Sequence, residues 1–456
     1  MWIRASLTKW CSTNYSVEVH AFVKNGKYCA IPTFPRIPLS IPTAAAWGCT
    51  WMPNQVVYDL ICAPILYNKG VLTMIACITN KQAEAALDRA IEQVRRNLPA
   101  FTFSSQNHSS EKGVYAACEN DDWTNGFWPG EIWLAYERTQ DPVLRYAGLI
   151  QVESFLRRIQ NKVKVDHHDM GFLYTPACVA AWMCTQDEHA KQAAIMAADQ
   201  LMTRFQSVGS FFQAWGAMDA PENYRYIIDC LLNLPLLYWA SEVTGDGRYR
   251  EAALRHTDTC LKYSFREDGS THHTFYLDPK TGEGLRGVTC QGYSNDSSWA
   301  RGQAWGIYGM ALSYRYTKDP RCLDTFRKVL AYYLKRLPQD MVPYWDLIFL
   351  DGSGEPRDSS SAAIAACGLM EMAPQLPREE GEECVRLARQ MLYSLTESYA
   401  VEPGSESNGL LLHGTYSRKS PYNTCDPAGV DECVIWGDFF YMEALTRLTS
   451  DWHPYW

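Results

Sequence analysis

From about Lys81 the apolar positions fall into a helical rhythm. Leu87, Ile91, Val94 and Leu98 recur at spacings that put them on one face of a helix. Similar runs continue to the C-terminus, and four of them break at a Thr-x-Asp triplet: Thr139-Gln140-Asp141, Thr185-Gln186-Asp187, Thr244-Gly245-Asp246 and Thr317-Lys318-Asp319. An Asp at such a break can cap the free N–H groups of the next helix. Pro142 and Pro320 follow at first helical positions, where a missing N–H costs nothing. A fifth junction falls around Pro374–Glu380, and a last helix follows Trp436. Helix pairs thus recur at irregular spacings of roughly 45–75 residues. Between them lie loops rich in Gly, Asp, His and Trp, at 121–130, 166–172, 268–299 and 351–361, and strand-like alternation is confined to hairpin-sized pieces near 272–290. About twelve helices in sequential hairpins predict an all-α fold, an (α/α)6 barrel or six-hairpin toroid, with the long loops and the site at one end.

Residues 1–80 read differently, being rich in Pro, Thr and aromatics without a sustained helical period. The expectation is an irregular extension over 1–80, disordered or a product of start-site choice upstream of Met74, followed by a barrel domain over 81–456. A small packed appendage is the alternative, and protease resistance within 1–75 would favour it. The apolar stretch 57–78 is interrupted by Asp59, Pro64, Asn68, Lys69 and Gly70, so it makes a poor membrane span. The N-terminus also lacks the basic, apolar, small-residue order of a signal peptide. A cytoplasmic protein is expected.

Composition narrows the partners. A formal charge of -9 argues against a nucleic-acid backbone as ligand, yet leaves room for an acidic small molecule in a local basic pocket. The chain's 16 Trp and 27 Tyr supply flat apolar faces that suit sugar rings, although large helical proteins bury many of both. Its 16 Cys form no Cys-x-x-Cys pair and sit largely in apolar helical text, which reads as free thiols in a reducing compartment. No Walker loop, Rossmann fingerprint or Gly-x-Ser-x-Gly elbow is present, so ATP, NAD and serine-hydrolase chemistry lack support.

Four clusters could carry chemistry. Asp121-Asp122-Trp123-Thr124-Asn125-Gly126-Phe127-Trp128-Pro129-Gly130 could line a cleft or simply start a helix whose aromatics fill the core. In Asp166-His167-His168-Asp169-Met170-Gly171-Phe172 the mixture suggests a metal, but no His-x3-His pair supports one and adjacent residues diverge on a helix. A carboxylate held by an imidazole fits better, and no metal or cofactor is expected. In Tyr226-Ile227-Ile228-Asp229-Cys230-Leu231-Leu232-Asn233-Leu234-Pro235 one acid is embedded in an apolar helical run. Desolvation would raise its pKa, as a proton donor near neutrality requires, unless it only caps its own helix. The fourth, Gln291 to Trp305, holds Arg301 bracketed by Trp299 and Trp305, a possible clamp for a carboxylate or a brace for helix ends, with His272 and His273 upstream.

Together these clusters resemble the unsaturated glucuronyl hydrolases of glycoside hydrolase family 88. The likeness spans roughly residues 81–450, carried by Trp-Thr-Asn-Gly-Phe-Trp-Pro-Gly, His-His-Asp-Met-Gly-Phe, Ile-Ile-Asp with Asn-Leu-Pro-Leu-Leu, and Trp-Ala-Arg-Gly-Gln-Ala-Trp-Gly, in that order. The resemblance implies a bacterial (α/α)6-barrel hydrolase without metal or cofactor. Its substrate would be the disaccharides, sulfated or not, that polysaccharide lyases leave with a 4,5-unsaturated uronic acid at the non-reducing end. It implies Asp229 as general acid and base, with Asp169 as a second carboxylate that holds ring hydroxyls and keeps Asp229 protonated. Trp123, His168, Trp215, His273, Gln291, Trp299, Arg301 and Trp305 would line the uronate subsite, with Arg301 on its carboxylate. Members acting on sulfated disaccharides share a late Ser-x-x-Ser-x-Lys. Here the matching text runs Gly414-Thr415-Tyr416-Ser417-Arg418-Lys419, so Ser417 and Lys419 are present and the first Ser is Gly414. A solvated basic loop is the plain alternative.

Rivals remain at this point. An unsaturated rhamnogalacturonyl hydrolase acting on pectin fragments shares barrel and reaction, an epimerase of the toroid type would need paired histidines, and a non-catalytic sugar-binding protein would leave the substrate intact. A monomer or homodimer without nucleic-acid or membrane partners is expected.

Overall fold

The computed structural model describes residues 76–456 in full and, before them, the backbone of three strands. The chain divides into two compact units, Met1–Val57 and Tyr58–Trp456. In the first, β1 (Trp2–Ala5), β2 (Val19–Lys24) and β3 (Lys27–Pro32) pair antiparallel in that order. The rest of 1–75, and with it the expectation of an irregular extension, lies outside the described residues.

Twelve helices follow among the described residues. They are α1 (Asn80–Phe101), α2 (Phe127–Thr139), α3 (Pro142–Gln160), α4 (Met170–Tyr174, continued by a π-turn Thr175–Val179 and Ala180–Thr185) and α5 (Glu188–Met202). Then come α6 (Leu234–Thr244), α7 (Gly247–Tyr263), α8 (Ala300–Thr317), α9 (Pro320–Arg336), α10 (Ser359–Met372), α11 (Arg378–Ser394) and α12 (Ile435–Thr449). The even-numbered helices form an inner ring. α2 packs on α4, α4 on α6, the short turn leading into α6 on α8, α8 on α10, α10 on α12, and α12 returns to α2. Each odd-numbered helix lies outside its neighbour, with α1 against α12. The toroid read from the sequence is the fold.

Burial follows from that placement. Nearly every residue of α10 is buried, as expected of a helix with protein on all sides, whereas α9 buries a single stripe of Cys322, Phe326, Val329, Leu330 and Tyr333. The four Thr-x-Asp triplets make the inner-to-outer turns by one shared device. Thr139, Thr185, Thr244 and Thr317 each donate to the carbonyl four residues back. The middle residue turns left-handed, and Asp141, Asp187, Asp246 and Asp319 each accept an N–H of the following helix. These tight turns all lie at the C-terminal ends of inner helices. The long loops therefore gather at the opposite end, where the inner helices present N-termini and partial positive charge.

Short strands stiffen those loops. β4 (Ser105–Gln106) pairs with β5 (Ala117–Cys118), and β6 (Phe205–Gln206) with β7 (Phe211–Phe212). β8 (Arg225–Ile227), β9 (Thr274–Leu277) and β10 (Gly284–Val288) form an antiparallel sheet with β9 central, the hairpin expected near 272–290 plus one strand. β11 (Gly414–Ser417) pairs with β12 (Ala428–Glu432).

Candidate active site

Asp169 occupies the N-cap position of α4, and Asp229 sits one turn before α6. The sequence placed Asp229 inside a helical run. Instead β8 ends at Ile227, and Ile228–Leu232 forms a 3-10 turn in which the nearby N–H groups of Asp229 and Cys230 act to lower the pKa of the Asp229 carboxyl. Two residues hold this turn against α4. At Gly171 a Cβ would stand 2.4 Å from the Asn233 Cα, so only glycine admits the contact. Asn233 Oδ1 accepts the Phe172 N–H at 2.8 Å, its Nδ2 donates to the Asp229 carbonyl at 3.4 Å, and its side chain helps lower the Asp169 pKa. Asn233 belongs to a motif quoted from the sequence but was not singled out there, because its role needs α4 and the turn side by side.

His168 bridges the two acids. Its Nε2 lies 3.4 Å from Asp169 Oδ1 and 3.7 Å from Asp229 Oδ1, the latter too long for a hydrogen bond. His167 Nδ1 is 3.1 Å from Asp169 Oδ2. The argument that neighbouring His and Asp diverge fails here, since both precede the first turn of α4. Donor atoms of His168, Asp169 and Asp229 lie within 4.8 Å of one another, close enough to share a cation as well as a proton.

The two carboxyls are driven apart in acidity. Burial, then the charge of Asp169, raises the Asp229 pKa well above 3.8, with Arg301 opposing. Burial also acts to raise Asp169, but His168, the His167 hydrogen bond and Asn233 outweigh it and hold that carboxyl low. Burial pushes His168 down to about 4, so the imidazole is neutral at pH 7. Asp229 Oδ1 is buried without a hydrogen-bond partner, as are His168 Nδ1 and His273 Nε2. Buried polar atoms left unpaired are costly, and three around one cleft mark where a polar ligand fits.

His273 is pushed down to about 3, by burial first and Arg301 second. Its Nδ1 accepts the Cys290 N–H at 2.9 Å, which leaves the proton on Nε2. Gln291 stands beside His273, acting to raise its pKa, and donates to the Tyr416 carbonyl at 3.0 Å. Trp123 donates its indole N–H to the Tyr416 hydroxyl at 3.0 Å and stacks on Trp436 at 5.4 Å. Trp215 is 43% exposed, with its ring 6.2 Å from His168.

Two expectations need correction. Arg301 is not an open clamp: it is fully buried, and its Nη1 bonds Asp358 Oδ2 at 3.0 Å and the Thr415 carbonyl at 2.7 Å. Its Nη2 takes the Tyr416 carbonyl at 2.7 Å, so the guanidinium pins β11 to the start of α10. A buried cation needs a carboxylate, and Asp358 was not visible as its partner in sequence. Nor do Trp299 and Trp305 bracket it. Trp299 and Trp436 do, at 4.3 and 4.8 Å, while Trp305 is a core residue packed on Phe172 and Phe440. Trp305 lies one turn deeper in α8, below the cleft.

The late basic loop is tied to itself. Ser417 Oγ donates to the Asp426 carbonyl at 2.6 Å, Arg418 pairs with Glu355 at 2.7 Å, and exposed Lys419 reaches the Asn423 carbonyl at 3.3 Å. Gly414 replaces a serine for a steric reason: a Cβ there would meet Val434 Cγ2 at 2.7 Å. Every cysteine among the described residues is a free thiol. No described helix is long and apolar enough to cross a membrane.

Comparison with known proteins agrees with this geometry. Residues 100–443 match Glycosyl Hydrolase Family 88. The chain is 48% identical over 381 residues to the unsaturated chondroitin disaccharide hydrolase of Streptococcus agalactiae, covering 83% of this chain and 94% of that one. A crystal structure of unsaturated glucuronyl hydrolase from Streptococcus agalactiae superposes with a TM-score of 0.81 at 46% identity, covering 87% and 98% of the two chains. A variant of the same enzyme complexed with dGlcA-GalNAc6S gives 0.74 at 43% identity, covering 86% and 96%. An (α/α)6 toroid with two buried carboxyls of opposed acidity at its mouth, matched over most of its length, identifies the chain as a member of glycosyl hydrolase family 88.

Proposed function

We propose that this enzyme removes a 4,5-unsaturated uronic acid from the non-reducing end of lyase-generated glycosaminoglycan disaccharides, those of chondroitin type first. The observation that carries this reading is Asp229. Its carboxyl is buried, raised in pKa and unpartnered at Oδ1, beside a second carboxyl held ionised. A protonated acid of that kind can give its proton to C4 of the enol ether. The positive character that develops at C5 draws in water, and Asp229, now a carboxylate, takes a proton from it. The hemiketal at C5 opens, which leaves C1 a hemiacetal that expels the second sugar. One water is consumed and Asp229 ends protonated. A single carboxyl serves both transfers, so the spacing rule for paired glycosidase carboxylates does not govern this site.

Asp169 would hold ring hydroxyls and keep Asp229 protonated, while His273 Nε2–H would donate to the uronate. Trp123, Trp215 and Trp299 would supply apolar faces, with Gln291 and Arg301 fixing the Tyr416 segment. Ser417 and Lys419 would face a sulfate on the second sugar. Free thiols fit a reducing, cytoplasmic setting. The test is the loss of enol-ether ultraviolet absorbance from unsaturated chondroitin disaccharides, unsulfated and sulfated, with chelator present. Decay with chelator is expected. Decay abolished by chelator would move the chemistry to a cation at His168, Asp169 and Asp229, and an unchanged signal on every disaccharide would reject the reading.

A further inference from the structure

Arg225, at the start of β8, differs from the buried guanidinium groups of Arg158, Arg204 and Arg301, whose N–H groups are taken up by several carbonyl, amide or carboxylate oxygens. Arg301 has Asp358 as counter-ion, whereas no ion pair joins Arg225 to a carboxylate among the described residues. The residue is 8% exposed, and the one hydrogen bond of its side chain runs from Nη1 to the neutral Asn223 Oδ1 at 3.0 Å. Among the described residues its Nε and Nη2 have no partner, and neither is among the sealed, unpaired polar atoms, so they reach open space. A guanidinium held in place with two N–H edges open and no anion beside it is ready to bind one.

The surroundings say where that anion would come from. The guanidinium carbon lies 4.9 Å from the Trp215 ring centre and 5.7 Å from that of Tyr276, so two aromatic rings fix its plane. Arg286 lies over Tyr276 as well, at 4.6 Å, adding positive potential. Backbone bonds knit this group to the acid pair: the His168 N–H donates to the Ala214 carbonyl, and the Ala214 N–H to the Arg225 carbonyl. Arg225 is close enough that its charge helps hold the His168 pKa down. Trp215 thus offers an exposed ring between the acids and an unneutralised cation, the layout of a platform for a sugar with an anion contact at its edge.

We propose that Arg225, fixed between Trp215 and Tyr276, binds an oxyanion of the substrate, namely a sulfate of the disaccharide that lies against Trp215. The proposal rests on the function above. It also locates a sulfate contact on a different sheet from the one that carries Ser417. The uronate's own carboxylate has the same chemistry, and the experiment separates the two sources.

The experiment compares wild type, Arg225→Met and Arg225→Lys on unsulfated and sulfated unsaturated chondroitin disaccharides, with kcat, KM and Tm measured for each. Methionine keeps an apolar stem between the rings, and lysine keeps the charge without the fork. For Arg225→Met, KM for the sulfated substrate should rise about tenfold or more, while kcat, Tm and unsulfated turnover change little, and Arg225→Lys should fall between. An equal rise in KM on both substrates with kcat kept would support the oxyanion contact but assign it to the uronate carboxylate. Unchanged KM on both, or a parallel fall of kcat and Tm without selectivity, would overturn the proposal and leave Arg225 a packing residue. Wild type inactive on all substrates would instead reject the hydrolase reading, and this inference with it.

Discussion

At the residue scale the site works by making two like groups unlike. Asp169 is ionised because His168, His167 and Asn233 stabilise its charge, and that charge adds to burial in keeping the proton on Asp229. Asp229→Asn keeps the shape and removes the proton, so substrate binding should persist while kcat falls about 100-fold or more; near-normal turnover would overturn the assignment. The pH profile gives a second test. Because Asp229 acts protonated, kcat should decline on the alkaline side as it ionises. Asp169→Asn removes a charge that raises Asp229, so that alkaline limb should move to lower pH, and an unmoved limb would mean that the two acids are not coupled. Arg301 gives the contrasting case. Removing it leaves Asp358 buried without its partner, at a cost of about 3–5 kcal/mol. Arg301→Met should therefore lower the urea midpoint along with activity, and Arg301→Met with Asp358→Asn should recover part of the stability. A loss confined to KM would return Arg301 to the substrate.

At the element scale the Thr-x-Asp triplets were legible because both halves of the device are local: a hydroxyl bonding back one turn, then a carboxylate capping the next. Asp187 shows it plainly, accepting the Ala190 N–H at 2.9 Å. Asp187→Ala should cost about 1 kcal/mol of stability, read as a lower denaturation midpoint, and leave kcat unchanged. The acid-bearing turn was not legible to the same degree. Ile228–Leu232 carries the apolar pattern of a helix, but pairing of β8 with β9 commits Ile227 to a strand and leaves room only for one tight turn before α6. Trp305 was misplaced for a related reason, since spacing from Arg301 along α8 says nothing about depth below the cleft.

At the scale of the whole molecule, closing twelve helices into a ring buries polar groups that no single hairpin would bury. Glu131 on α2 and Asp438 on α12 meet inside the barrel, where α12 returns to α2. Burial raises the Asp438 pKa from 3.8 to about 7, against the opposing N–H bonds of Leu410 and Leu411, and Glu131 is raised by burial and then by Asp438. The folded state thus holds these protons more tightly than the unfolded chain does. The contribution of Asp438 to stability is complete below the unfolded value and is lost as pH rises through about 7. Tm should fall from pH 5 to pH 8, and Asp438→Asn should flatten that slope; an unchanged slope would place the titration elsewhere.

By itself the sequence determined the helix pairs, their hinges and therefore the toroid with its loops at one end, because periodicity and capping act within a few residues along the chain. It also determined which acids and aromatics stand near the mouth, since each precedes or begins an inner helix. Only the tertiary structure decided what those side chains face. Arg301 found Asp358 and the β11 carbonyls, Trp305 went to the core, Asn233 joined the two acids, and Arg225 was left without a counter-ion beside Trp215. Those outcomes depend on distances between segments far apart in the chain, and such distances exist only once the ring has closed.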